Sequence, residues 1–202
     1  MEQNPPIYRK PKYTKQWLGL HCLYVLGLAL MLTLISCGID SFASGRVESG
    51  LLNKETFSQL SESIAYCFSI IAITSVSLML VELTFRKGIS YLQYALIAMS
   101  LTLFYLLLLA LSEKMPFGAS YAIVSVMTVG LIVWFINGIT RNPKAVGLTA
   151  GILVAEYGLM FILIKLGSTA LLVGSLILFL LIAFAMYLTL KLRVEDDELI
   201  IK

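Results

Sequence analysis

The stretch GILVAEYGLMFIL sets a carboxylate, Glu156, in the middle of an apolar run. In water such a side chain would be unremarkable. Inside a bilayer a charge near the centre costs about 2.5 to 3.5 kcal/mol even on lenient insertion scales, so the group must be neutral, hydrogen-bonded, or part of an ion or substrate pathway. Lys165 lies nine positions on, about 180° around a helix and ~13 Å along it, so the two cannot pair within one helix. A partner for Glu156 must come from another helix, from water or from a proton. Glu82 differs, because it sits three residues before Phe85 and has Arg86 at i+4, the spacing of an ion pair at a helix end. The remaining chemistry-bearing residues are sparse. Cys22, Cys37 and Cys67 form no CxxC pair, and His21 is the only histidine, so no metal-ligand set is expected. Small buried hydrophobes are the expected role of the thiols, with a Cys37–Cys67 disulfide as the alternative, and interfacial packing that of His21. There is no HExxH, Walker A loop, GxSxG elbow or paired-carboxylate motif, so no enzyme, cofactor or metal chemistry is expected.

The elements that must hold these residues follow from composition. The chain of 202 residues is 59% hydrophobic and only 13% charged, against about 25% charged in soluble domains. Runs of about 20 apolar residues match a ~30 Å hydrocarbon core, and helices alone satisfy their own backbone there. Six such runs predict an all-α, polytopic six-helix bundle forming a single membrane domain: 17–38, 63–85, 91–111, 117–138, 146–165 and 169–190. A basic arm, 1–16, precedes them and a tail, 191–202, follows. In FYLLLLALSEKMPFG, Glu113 and Lys114 mark where the third span surfaces, and Pro116 turns the chain into the fourth.

Placement of Lys and Arg sets the orientation. With the N-terminus inside, one side carries the arm's four basic residues, Arg86, Lys87, Arg141, Lys144, Lys191, Arg193 and Lys202; the other holds Arg46, Lys54, Lys114 and Lys165. That 11 to 4 bias predicts both termini in the cytoplasm. The net charge of +3 is dispersed among helix ends, so the expected partners are the lipid bilayer and a membrane protein, not nucleic acid. The acidic run Glu195-Asp196-Asp197-Glu198 reads as a solvated tail, with docking as its alternative.

Two local patterns add detail. Leu34-Ile35-Ser36-Cys37-Gly38 has the form of a bacterial lipoprotein signal, but the apolar stretch before it is longer than the ~7 to 15 residues of a cleaved signal, which favours a retained anchor. Gly147, Gly151 and Ala155 form a small-residue stripe expected to admit a neighbouring helix. The connection 39–62 is too short for a soluble domain; its Thr56-x-x-Gln59 has capping-box form, placing a helix start near Phe57.

YLQYALIAMSLTLFYLLLLALSE resembles the C-terminal membrane region of the CreD inner-membrane protein family, through Gln93, Tyr94, Phe104, Tyr105, Ser112 and Glu113. Phe117 and Tyr121, Tyr157-Gly158, then Gly174, Ser175, Phe179, Met186-Tyr187 and Thr189 follow in the family's order, and Glu82 suits its preceding helix. The resemblance spans roughly residues 75 to 190. Lys114 stands where the family usually has His, and Gly167-Ser168 where an acidic pair is common; Glu156 is at no family-typical acidic position. Family members typically carry a large extracytoplasmic domain between the first two helices, where this sequence has only 39–62. The resemblance implies a bacterial inner-membrane protein tied to envelope stress, colicin tolerance and the β-lactam response through a two-component regulon, and no enzymatic reaction. Two function classes result: a non-enzymatic envelope component acting through protein or lipid contacts, and a small transporter or channel using Glu156.

The charge bias is directly testable. With the native cysteines replaced, Glu48→Cys and Met115→Cys should react with a membrane-impermeant thiol reagent in intact cells, and Gly88→Cys and Asn142→Cys should not. The opposite pattern would invert the topology.

Overall fold

A computed structural model describes residues 15–85, 88–166, 169–195 and 198–201. The arm 1–14, Arg86-Lys87 and Gly167-Ser168 lie outside them, as does the expected Glu82–Arg86 pair. Seven helices follow in order: α1 Lys15–Glu48, α2 Lys54–Ala65, α3 Cys67–Phe85, α4 Tyr91–Ser112, α5 Phe117–Thr140, α6 Pro143–Leu166 and α7 Ala170–Lys191. Among the described residues, five helices are long and apolar enough to cross a membrane: Gln16–Glu48, α3, α4, α5 and α6.

Two stretches depart from the sequence reading. The first helix does not end at Gly38 but runs on to Glu48, giving 34 residues, or ~51 Å at 1.5 Å per residue. That exceeds a ~30 Å core. The C-terminal end of α1 stands level with the end of α4: the Arg46 guanidinium sits 5.3 Å from the Phe42 ring centroid, and Arg46 Nε lies 3.0 Å from Glu113 Oε1. The Nε–H is not aimed along a hydrogen bond, so this contact is an ion pair. The second span is divided. Asn53, not Thr56, caps α2, accepting from Glu55 N at 3.4 Å, and the helix ends at Tyr66 before α3 begins.

That division lets α2 lie differently from a spanning helix. Only one side of α2 is buried, through Leu60, Ser63 and Ile64, and the helix touches α1, α3, α4, α5 and α6. It therefore lies across one end of the bundle. Beneath it the long helices form a ring of contacts, α1 to α4, α4 to α5, α5 to α6, α6 to α3 and α3 back to α1, with α3 also touching α4. α7 packs on α6, where a Cβ at Gly174 would lie 3.8 Å from Leu163. The tail expected after it contains an antiparallel hairpin, β1 Leu192–Glu195 with β2 Glu198–Ile201, in which Glu195 pairs with Glu198. Of the acidic run, Glu195 and Glu198 are the last pair of the ladder, and Asp196-Asp197 lies outside the described residues.

Tight turns link the remaining helices. Arg141, at φ 47°, ends α5 in the left-handed region, and Pro143 opens α6, where its missing N–H leaves no bond unmade. Ser90 and Gln93 form a reciprocal capping box on α4: Ser90 Oγ accepts from Gln93 N at 3.4 Å, and Gln93 Oε1 accepts from Ser90 N at 2.8 Å. Ser90→Ala should therefore cost about 1 kcal/mol in reversible unfolding in micelles. Wild-type stability would show that the box does not hold this helix start.

Candidate functional site

Glu156 sits on the flank of the inward face of α6, a face made by Thr149, Leu153, Tyr157, Met160 and Ile164. From there it reaches α3, where Thr74 Oγ1 donates to Glu156 Oε2 at 2.7 Å. The partner thus comes from another helix. The carboxylate's second oxygen, Oε1, is buried with no hydrogen-bond partner in the protein. Tyr157, next in sequence, is buried; its backbone oxygen accepts from the Tyr121 hydroxyl at 2.8 Å, while its own hydroxyl has no partner. The buried Tyr105 hydroxyl on α4 lies beside the Cys67 thiol but makes no well-aligned hydrogen bond. Tyr105, Tyr121 and Tyr157 lie within electrostatic reach of one another, Tyr121 and Tyr157 within reach of Glu156, and Tyr105 and Tyr157 within reach of Cys67. Phe104 ties the group together, its ring 4.9 Å from Tyr157 and 5.5 Å from Tyr121. One polar cluster therefore forms inside the bundle from α3, α4, α5 and α6.

The small-residue stripe does not join it. Gly147, Gly151 and Ala155 are exposed, and a Cβ at either glycine would meet nothing within 4 Å. Two steps around the helix from Gly147 to Thr149 make about 200°, so the stripe faces away from the bundle interior. The expected close helix approach on the stripe is absent within this chain. An apolar groove of ≈ 600 Å³ instead runs between α5 and α6, and Tyr121, Ser125 and Tyr157 line part of it.

Glu82 belongs to a second cluster at the opposite end. It is buried, at 2% exposure. Its Oε1 accepts from Ile89 N at 3.1 Å and its Oε2 from the Tyr94 hydroxyl at 3.0 Å, so it fastens the α3–α4 turn. The alternation of polar and apolar residues cannot reveal this, since both donors lie beyond the turn. His21 packs beside it as expected: its ring lies 3.9 Å from Trp17 and 4.6 Å from Tyr91, and its Nδ1 is 3.1 Å from Trp17 O. Cys67 is buried and hydrogen-bonded to Ser36 at 3.2 Å, whereas Cys37 is exposed and both thiols are free, so the alternative disulfide does not form.

A family model described as "Inner membrane protein CreD" matches residues 46–195, most of the chain. The chain belongs to the CreD family. The Inner membrane protein CreD of Escherichia coli K12 is 31% identical over 167 residues, covering 74% of this chain and 36% of that relative. The chain thus spans about a third of that relative's length. No solved structure matches it. Membership makes this an inner-membrane protein with several spanning helices. The match reaches back to Arg46, well before the start near residue 75 expected from sequence, and so takes in α2 and all of α3. Several of the positions that carried the resemblance gather in three places. Glu82, Gln93 and Tyr94 fasten the start of α4 to α3; Tyr105, Tyr121 and Tyr157 enclose the interior cluster; Glu113, next to Ser112, ties the α4 end to Arg46.

Tyr94→Phe removes one donor to Glu82 and leaves a buried oxygen unpaired. Unfolding should show a loss of about 1–3 kcal/mol. A neutral result would mean that Glu82 is satisfied without Tyr94.

Proposed function

We propose that this chain is a non-enzymatic inner-membrane component that acts through contacts with lipid and with a membrane-protein partner, in the envelope-stress setting that its family resemblance implies. It crosses the membrane six times, α7 supplying the sixth crossing, with both termini in the cytoplasm. Support for the topology comes from the charge bias and from the length of α7, 22 residues.

The observation that carries the reading is the 2.7 Å bond from Thr74 to Glu156. A carboxyl group held by a neighbouring helix has a packing role available that needs no transported ion. The buried, unpartnered Oε1 favours the second reading, a transporter or channel in which Glu156 exchanges a proton or cation.

Glu156→Gln separates the two. Gln keeps an oxygen for Thr74 and removes the titratable group, so complementation of an envelope-stress phenotype should persist. Glu156→Leu should weaken the bundle by about 0.6 kcal/mol, the average for hydrogen bonds measured between membrane helices. Loss of complementation in Glu156→Gln, at normal protein level and stability, would overturn the packing reading in favour of transport.

A further inference from the structure

The unpartnered buried polar atoms are not scattered evenly. Among the described residues they all lie toward the end that α2 covers. Ser63 Oγ is on α2 itself, Ser112 Oγ is at the adjoining end of α4, and Asp40 Oδ1 is on the C-terminal part of α1. Deeper come Ser125 and Tyr105, the latter seven residues or ~10 Å below Ser112. Tyr157 and Glu156 Oε1 lie deepest, Glu156 being ten residues or ~15 Å below Leu166.

Among the described residues, no fully buried side-chain polar atom toward the opposite end lacks a partner. Thr149 donates to Ala145 O at 3.0 Å and Thr140 to Ile136 O at 2.8 Å, each within its own helix, and Thr102, at about the depth of Glu156, donates to Ala98 O at 3.3 Å. Tyr94 donates to Glu82 at 3.0 Å. A buried polar group left without a partner costs about 1–3 kcal/mol, and the series on the α2 side would accumulate that cost several times over. Buried water characteristically relieves it, with each molecule making about three hydrogen bonds to such groups. The α5–α6 groove touches Ser125 and Tyr157, but its wall includes the exposed Val126 and Val154 and opens on lipid, so the water is assigned to the polar side chains of the interior and not to the groove.

We propose that the α2-side half of the bundle interior is hydrated, with water bound along Tyr105, Tyr157 and Glu156, and that this hydration stops at the level of Glu156. The ligand is water, and the file is one-sided. Glu156 then exchanges protons with the medium on the α2 side without any continuous path to the other side. The inference goes beyond the proposed function and does not depend on it, since a wet Oε1 is compatible with a structural bond at Oε2.

Radiolytic hydroxyl-radical footprinting of the intact protein in lipid nanodiscs, read by mass spectrometry, tests this without any substitution. Tyr94, Tyr105 and Tyr157 have the same intrinsic reactivity and are similarly buried, at 2%, 0% and 3% exposure. Bound water should make Tyr105 and Tyr157 oxidise several-fold faster than Tyr94. Oxidation of either one at the Tyr94 rate or more slowly would overturn the proposal.

Discussion

Hydrocarbon offers no hydrogen-bond partner, and the arrangement of this chain is governed by where its few polar side chains find one. Glu156 can reach Thr74 only if α3 and α6 are neighbours, and Tyr121 can reach the Tyr157 carbonyl only if α5 lies against α6. Those two contacts fix one side of the ring. On the other side Tyr24 of α1 donates to Tyr91 O at 2.9 Å, and Cys67 of α3 donates to Ser36 of α1 at 3.2 Å. Apolar packing fills the space between these bonds, but packing between lipid-soluble helices discriminates poorly among neighbours, because lipid tails are as apolar as leucine. The polar contacts supply the discrimination.

The two ends of the bundle solve the same problem differently. At the α3–α4 turn a buried carboxylate takes two donors, a capping box satisfies the first turn of α4, and an aromatic cluster of Trp17, His21, Tyr91 and Tyr94 encloses them. Among the described residues, that closure leaves no buried side-chain polar atom without a partner. At the other end α2 lies across the ring, and the Arg46–Glu113 ion pair ties the end of α1 to the α4–α5 tip. Hydroxyls beneath that cover are left for water.

Much of this was legible in the residues themselves. Apolar run lengths give α4 to within one residue, Tyr91–Ser112, because Ser90 and Glu113 bracket it with polar groups. The intramembrane position of Glu156 likewise announces that another helix must meet it. Runs of hydrophobicity fail where no polarity change marks a boundary: Ala65-Tyr66-Cys67 contains no breaker, yet the helix divides there because α2 has a one-sided apolar face suited to lying on the bundle. The length of α1 was hidden for the reverse reason. Asp40, Ser41 and Ser44 look like a loop, but Ser41 and Ser44 bond back to Cys37 O and Ser41 O and sit comfortably in a helix beyond the hydrocarbon. Which face of α6 turns inward was also undecidable from the small-residue stripe, since both a helix neighbour and lipid accept glycine. Tertiary contacts of Thr149, Leu153 and Tyr157 decide it.

The central claim is that Glu156 fastens α6 to α3 through Thr74. A double-mutant cycle of Thr74→Val and Glu156→Leu, with unfolding followed in bicelles, measures that contact apart from the packing changes of each substitution. The account predicts a coupling of about 0.6 kcal/mol or more, 0.6 being the average and about 1.7 the maximum measured for hydrogen bonds between membrane helices. Effects that simply add, to within about 0.3 kcal/mol, would contradict it.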